Sequence, residues 1–263
     1  MADRPYPYRS ALITGASSGI GTAMARQLAA RGVSLVLVAR REPLLRDLAE
    51  ELRHAHGIEV EALPADLTDA KQTARVTARL TDPDRPIELL VNNAGSGGSG
   101  VFANLPVDLE EATVQLNNQA VVRLSRSVLS RMRAAGHGGV LNVSSLTGEL
   151  PSPSLATYAA TKAFLTHFSE DLAIENRGSG VHVTVVLPGL TKTDYFAANG
   201  LAPAWVPGFF WLEADQVAAA ALKAVAAGTR RCVPGVPYKA ATTLLTLTPR
   251  PLRRALGRYL WHR

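Results

Sequence analysis

A chain of 263 residues with 47% hydrophobic composition can bury a sizeable core, and the absence of long charge runs or low-complexity blocks excludes an intrinsically disordered protein. No window approaches the roughly 18 uncharged apolar residues of a bilayer span, and Met1–Ser10 has no charged region followed by an apolar run, so neither a transmembrane helix nor a secretory signal is expected and a cytoplasmic location follows. The formal net charge of +6 is local: residues 216–263 carry nine Lys or Arg and no Asp or Glu, against 19 basic and 22 acidic residues before them, which argues for a basic patch and against a general nucleic-acid surface.

Short apolar runs predict strands at Ser10–Thr14, Ser34–Ala39, Glu59–Pro64, Ile87–Asn92, Gly139–Ser144, Val181–Leu187 and Arg231–Val233. Runs such as SLVLVA and VHVTVVL lack the alternation of a half-exposed strand and suit a parallel sheet covered on both faces. Helix-length stretches fall between them, near 19–31, 42–56, 69–80, 107–134, 157–178 and 214–227; in the second, Leu44, Leu45, Leu48 and Leu52 form an apolar face beginning at Glu42. Strict alternation predicts an α/β class: one Rossmann-type, doubly wound, mostly parallel sheet flanked by helices. Residues 1–233 form this domain, with a connection at 189–213 and a tail at 234–263 outside the alternation. Cys232 sits in the last apolar run and reads as a structural thiol; with no second cysteine, no internal disulfide forms.

The first strand runs into Thr14-Gly15-Ala16-Ser17-Ser18-Gly19-Ile20-Gly21 and then a helix. Glycines there permit a tight turn, close approach of a pyrophosphate and close helix–strand packing, while the helix N-terminus offers unpaired N–H groups to phosphates. Asp66-Leu67 follow the third strand and read either as cofactor contacts or, for Asp66, as a cap before the next helix; Asn92-Asn93 after the fourth read as cofactor contacts or turn residues. Tyr158 and Lys162 lie four apart on one helix face, where an ammonium favours the phenolate of a group whose ordinary pKa is about 10.

Taken in order, TGASSGIG, Asp66-Leu67, Asn92-Asn93-Ala94-Gly95, Ser145…Tyr158-Ala-Ala-Thr-Lys162 and Pro188-Gly189…Thr193 resemble the signatures of the short-chain dehydrogenase/reductase family, classical type, over about residues 8–233. The resemblance implies that Gly15, Ser17, Ser18, Gly19, Ile20 and Gly21 cradle a dinucleotide. It implies that Asp66 and Leu67 hold the adenine, that Asn92, Asn93, Ala94 and Gly95 wall the adjacent ribose, and that Pro188, Gly189, Leu190 and Thr193 hold the nicotinamide. It also implies Tyr158 as acid/base and Ser145, thirteen residues earlier, as the hydroxyl that polarises the substrate oxygen. Lys162 would hold the ribose and tune the tyrosine, and Asn117 would anchor a water linking Lys162 to solvent, with Asn118 the adjacent competitor.

At the end of the second strand Ala39 is followed by Arg40 and Arg41, with no carboxylate to accept a ribose 2′-OH or repel a 2′-phosphate. This predicts NADP(H), with Arg40 the stronger candidate and Ser17 an added contact; the bland alternative is a pair of solvated arginines. The chain departs from many NADP-preferring relatives in having Ser18 where they carry a basic residue. The histidines show no metal-ligand spacing, so no metal is expected. The implied reaction moves a hydride between nicotinamide and a carbonyl or alcohol carbon of an apolar small molecule.

Substrate identity is assigned to 189–213, Ser96–Phe102 and 146–155; Trp205, Phe209, Phe210 and Trp211 either line an apolar cavity under a lid or dock a partner subunit, and a homo-oligomer is expected. From Pro251 the tail reads Leu252, Ala255, Leu256, Tyr259, Leu260 with Arg253, Arg254 and Arg258 opposite, an amphipathic helix that packs on its own domain or a sister subunit, or contacts anionic lipid or an acidic carrier. Two alternative functions stay open: a 3-oxoacyl-thioester reductase, and a non-catalytic cofactor-binding regulator.

Overall fold

The computed structural model describes residues 6–193 and 207–248. Seven parallel strands, β1 (Ser10–Thr14), β2 (Ser34–Ala39), β3 (Val60–Pro64), β4 (Leu89–Asn92), β5 (Gly138–Val143), β6 (Val181–Val186) and β9 (Arg231–Cys232), form one sheet in the order β3-β2-β1-β4-β5-β6-β9. β1 lies between β2 and β4, so Leu12 pairs with Val36 on one side and Leu90 on the other. The inner strands are buried almost end to end, whereas β3, at an edge, is half-buried after Val60. That difference is why the inner strands read as continuous apolar runs.

Alternate side chains of each strand feed two cores. Ala11 and Ile13 of β1 with Leu35 and Leu37 of β2 pack under α1 (Gly19–Ala29), α2 (Glu42–His56) and α7 (Ala214–Ala226). Leu12, Val36, Val38 and Leu90 face the opposite way, against α3 (Ala70–Thr81), α5 (Ala120–Ala135) and α6 (Ala156–Glu175). Helix α2 buries Leu45, Leu48, Ala49 and Leu52, the i, i+3, i+4, i+7 stripe. Leu44, expected on that face, is 46% exposed, because it projects about 100° away from Leu45.

The stretch expected as one helix at 107–134 contains a change of winding. Helix α4 (Val107–Val114) passes into a π turn over Gln115–Gln119 before α5 begins. The connection 189–213 also carries structure at both ends: β7 (Thr191–Lys192) pairs in parallel with β8 (Leu212–Glu213), and Leu212 N–H donates to Leu190 O (2.8 Å). The tail continues as α8 (Val236–Leu247). The amphipathic pattern from Pro251 and Trp205 lie outside the described residues. Among the described residues no helix is long and apolar enough to cross a membrane.

Candidate active site

Parallel pairing brings the carboxyl ends of β1 to β6 to one edge of the sheet, and the strand order turns back between β1 and β4. Ligands of open α/β sheets bind in the crevice at such a point. Two residues stitch its walls together. Thr14 Oγ1 accepts from Asn93 N–H and Ala94 N–H (3.0 Å each), and Asn93 Nδ2 donates to Thr14 O (3.0 Å) and Gly15 O (3.1 Å). Gly15 sits at φ +66°, and a Cβ there would meet Asn93 and Ala94, so the turn needs glycine for both space and backbone conformation.

Helix α1 starts after Ser18, whose extended backbone caps it without a side-chain hydrogen bond, and its first turn holds no acidic residue. Its opening N–H groups and positive dipole end therefore suit an anion. Ile20 packs against the core while Gly19 faces Thr193 across the crevice, a Cβ at Gly19 lying 2.9 Å from Thr193 Cγ2. Beyond β2, Arg41 donates to Ser17 Oγ and Ser17 O (3.2 Å each), and Arg40, its side chain 72% exposed, lies 3.9 Å from Asp66 Oδ2. A cavity of about 620 Å³ opens beside them, lined by Arg40, Arg46, Asp66, Gln72 and Arg75 among others. The guanidiniums share this cavity with the carboxylates of Glu42 and Asp66, which pair with Arg46 and Arg40.

Asp66 does not cap α3. Its Oδ1 accepts from Thr68 N–H (2.9 Å) and Oγ1 (2.7 Å), closing a local turn, and Asp69 caps the helix by accepting from Gln72 N–H (2.8 Å). Leu67 is buried in the core beside α3. Asn92 turns its amide inward, donating to Ser125 Oγ (3.1 Å) and Asn142 Oδ1 (2.8 Å); Asn142 in turn donates to Ser169 Oγ (2.8 Å). Sequence reading missed this network beneath the crevice, although a lone asparagine inside the apolar strand GVLNV was its signal.

On the other side of the crevice, α6 carries Tyr158 and Lys162. Lys162 is 4% exposed, and its Nζ donates to Val143 O (2.9 Å) and lies 5.6 Å from the Tyr158 ring centroid. Burial lowers its pKa from 10.5 to about 8. A Cβ placed on Gly95 would sit 3.3 Å from Lys162 Nζ and 3.4 Å from Asn117 Oδ1, so these groups converge, and Gly97 packs against the Tyr158 ring. The π turn aims Asn117 inward: its Oδ1 accepts from Ser96 N–H (3.0 Å), and its Nδ2 donates to Ser96 O (2.8 Å) and Thr161 Oγ1 (2.9 Å). Asn118 instead donates to Thr161 O (3.0 Å). Thr161 was not expected from sequence, and Ser96 was expected only as the start of a substrate loop.

Of the two serines after β5, Ser144 is buried and donates to Lys162 O (2.8 Å), whereas Ser145 is half-buried, its hydroxyl donating to Thr147 Oγ1 (3.1 Å) and accepting from Thr147 N–H (3.2 Å). The loop bearing Ser145 meets the segment after β6 through Leu146 N–H, which donates to Pro188 O (3.1 Å). Cys232 is partly buried, and burial pushes its thiol above the ordinary value, the direction of an unreactive group. Among the described residues no group of His, Cys, Asp and Glu side chains has the makings of a metal site.

A parallel sheet with a phosphate-suited helix N-terminus at its switch point defines a nucleotide-binding Rossmann class. Residues 9–202 match the short chain dehydrogenase family, and the chain belongs to that family of oxidoreductases. It is 34% identical to an uncharacterized oxidoreductase of Myxococcus xanthus over 255 residues, covering 96% of this chain and 98% of the relative. A short-chain dehydrogenase of Sphingobium yanoikuyae, solved with NADPH, superposes with TM-score 0.83 at 38% identity over 90% of this chain and 92% of that one. The bulky-bulky ketone specific alcohol dehydrogenase of Comamonas testosteroni superposes with TM-score 0.78 at 32% identity, covering 93% and 96%.

Proposed function

We propose that the chain is an NADP(H)-dependent oxidoreductase of apolar carbonyl or alcohol compounds. The observation that carries this reading is the buried Lys162 ammonium beneath the Tyr158 ring, with Asn117 and Gly95 converging on the same point. When bound, nicotinamide supplies or takes up the hydride. The first turn of α1 holds the pyrophosphate, Arg40, Arg41 and Ser17 the 2′-phosphate, and Pro188 to Thr193 the nicotinamide end. Tyr158 gives its proton to the carbonyl oxygen in reduction and receives it in oxidation, Ser145 donates a hydrogen bond to that oxygen, and the Lys162 charge stabilises the phenolate. Asn117 holds the Ser96 backbone and Thr161 in register with Lys162. The NADPH bound to the Sphingobium relative and the ketone handled by the Comamonas relative support the cofactor and substrate class. Turnover of a carbonyl and alcohol panel with NADPH and NADP tests the proposal; no turnover of any member sinks it.

Cofactor choice has its own test. Arg40→Ala is expected to weaken NADPH by about 1.5–3 kcal/mol, the contribution of one charge-assisted pair, and to leave NADH nearly unchanged. Fluorescence titration of both cofactors measures it. Equal NADPH and NADH affinities in the unaltered protein would remove the arginines from the argument.

A homo-oligomer is the expected assembly. Tyr158 and Lys162 face inward, but the neighbouring face of α6, with Ala156, Thr157, Ala160 and Phe164, lines an open groove of about 1030 Å³ with Val114, Val122 and Phe102. The four large apolar side chains among these are exposed, Phe102 at 61% and Phe164 at 44%. Aligned apolar helix faces of this kind suit a second copy of the chain. Phe164→Arg should lower the sedimenting mass to that of a monomer; an unaltered protein that sediments as a monomer refutes the expectation.

A further inference from the structure

Tyr238 lies on α8, beyond the residues matched by the family, yet it reaches the segment proposed to hold the nicotinamide. Its hydroxyl accepts from Leu190 N–H (3.1 Å) and donates to Phe210 O (2.7 Å). It therefore bridges the two ends of the connection that leaves the sheet after β6 and returns before α7. Its ring packs against the cluster of Val185, Leu187 and Val233, and lies 6.4 Å from the Phe210 ring. A Cβ on Gly189 would collide with the Tyr238 ring, so the glycine and the tyrosine specify one another. Burial raises the hydroxyl's pKa, with the Leu190 N–H bond pulling the other way, so both the donated and the accepted bond persist at working pH.

We propose that Tyr238 is a positioning residue for the nicotinamide half of the cofactor. The inference rests on the NADP(H) reading above. It assigns to the tail a part in the site, through two hydrogen bonds and one close ring–backbone contact. The carbonyls of Pro188, Gly189 and Leu190 are held by Leu146 N–H, Thr191 Oγ1 and Leu212 N–H, and the Leu190 N–H is held by Tyr238. The tyrosine fixes Leu190 against the return strand β8, reinforcing the bond from Leu212 N–H to Leu190 O. Without the hydroxyl, the backbone at Leu190 loses one partner and the bracket to Phe210 opens. The adenine end of the crevice, built on α1, Arg40 and Asp66, contains no contact with Tyr238 among its hydrogen bonds and is expected to be indifferent.

Titration of full-length protein with NADPH and with 2′,5′-ADP, which carries only the adenine half and the 2′-phosphate, tests this. Tyr238→Phe keeps the ring and is the main variant. It is expected to bind NADPH about tenfold more weakly, the part of the lost loop order that binding must restore, equivalent to about 1.4 kcal/mol, and 2′,5′-ADP with unchanged affinity. An equal loss for both ligands would mean general destabilisation and overturn the proposal, as would unchanged or tighter NADPH binding. A wild-type protein that binds neither ligand overturns the cofactor reading and this one with it; a wild type that binds both, beside a Tyr238→Phe variant that matches it, overturns this one alone.

Discussion

Tyr158→Phe is expected to leave NADPH affinity and melting temperature close to those of the unaltered protein while turnover falls by roughly 10²–10⁴-fold, the range of a lost general acid. The substitution deletes one oxygen and keeps the ring, so the contact with Gly97 and the placement of the ring above Lys162 survive. Neither the α1 N-terminus nor the arginines after β2 depend on the hydroxyl. What disappears is the proton that reaches the carbonyl oxygen. Single-turnover reduction of a ketone found in the substrate panel, with NADPH bound at saturation, isolates that step. Near-normal rates in the Phe variant would take the proton-transfer role away from Tyr158.

Lys162→Met is expected to damage turnover and NADPH affinity together, turnover by at least about 10²-fold, because the ammonium is proposed to serve both the phenolate and the ribose. Stability should move the other way or not at all. Lys162 is almost wholly enclosed, and an enclosed ammonium is tolerated at a desolvation penalty that methionine does not carry. The sign of the pH effect follows from the depressed pKa. Between about 8, the value in the fold, and the ordinary 10.5, the unfolded chain binds the proton that the folded chain has released. The unfolded state then holds more protons, so this group makes stability rise with pH across that window. In Lys162→Met that rise is lost. Denaturant melts at pH 7.5 and 10 for both proteins measure it, and the same pH slope in both would mean that Lys162 does not titrate there.

Much of the architecture was legible because it rests on local patterns. The central strands announce themselves by burial on both faces, and the predicted and observed bounds of β1, β2 and α2 coincide. The end of α2 is set by Gly57 at φ +63°, a left-handed position that glycine fills without strain. The candidate site was legible as motifs at strand ends, since parallel strands deliver their carboxyl ends to one edge. The depth at which Lys162 sits was not, because burial is a property of everything packed around it.

Other features escaped for definable reasons. β7 and β8 are two residues long, too short for any periodicity, and exist through a partner some twenty residues away. Helix α8 begins Val236-Pro237 after Gly235 at φ +85°, a usable start signal, but its β-branched composition obscured it. For Asp66 the sequence left a cap open beside the expected cofactor contact, because Thr68 and a helix follow; Asp69 is better spaced for capping and takes that task. The π turn was hidden in an unbroken helical stretch, although Gln115, Asn117, Asn118 and Gln119 make a polar run that an ordinary buried helix would not tolerate.

That π turn has an evolutionary consequence. A π turn is in effect one residue inserted into an α-helix, and it winds less favourably than the regular form. Losing a residue of this turn ahead of Asn117, Gln115 or Leu116, would let α4 and α5 fuse into a regular, locally more comfortable helix. The same deletion would rotate Asn117 away from Ser96 and Thr161 and shift the outer face carrying Val114 relative to Val122. One codon thus links the interior of the crevice to the exterior groove, and drift toward a better helix at this point is drift away from both.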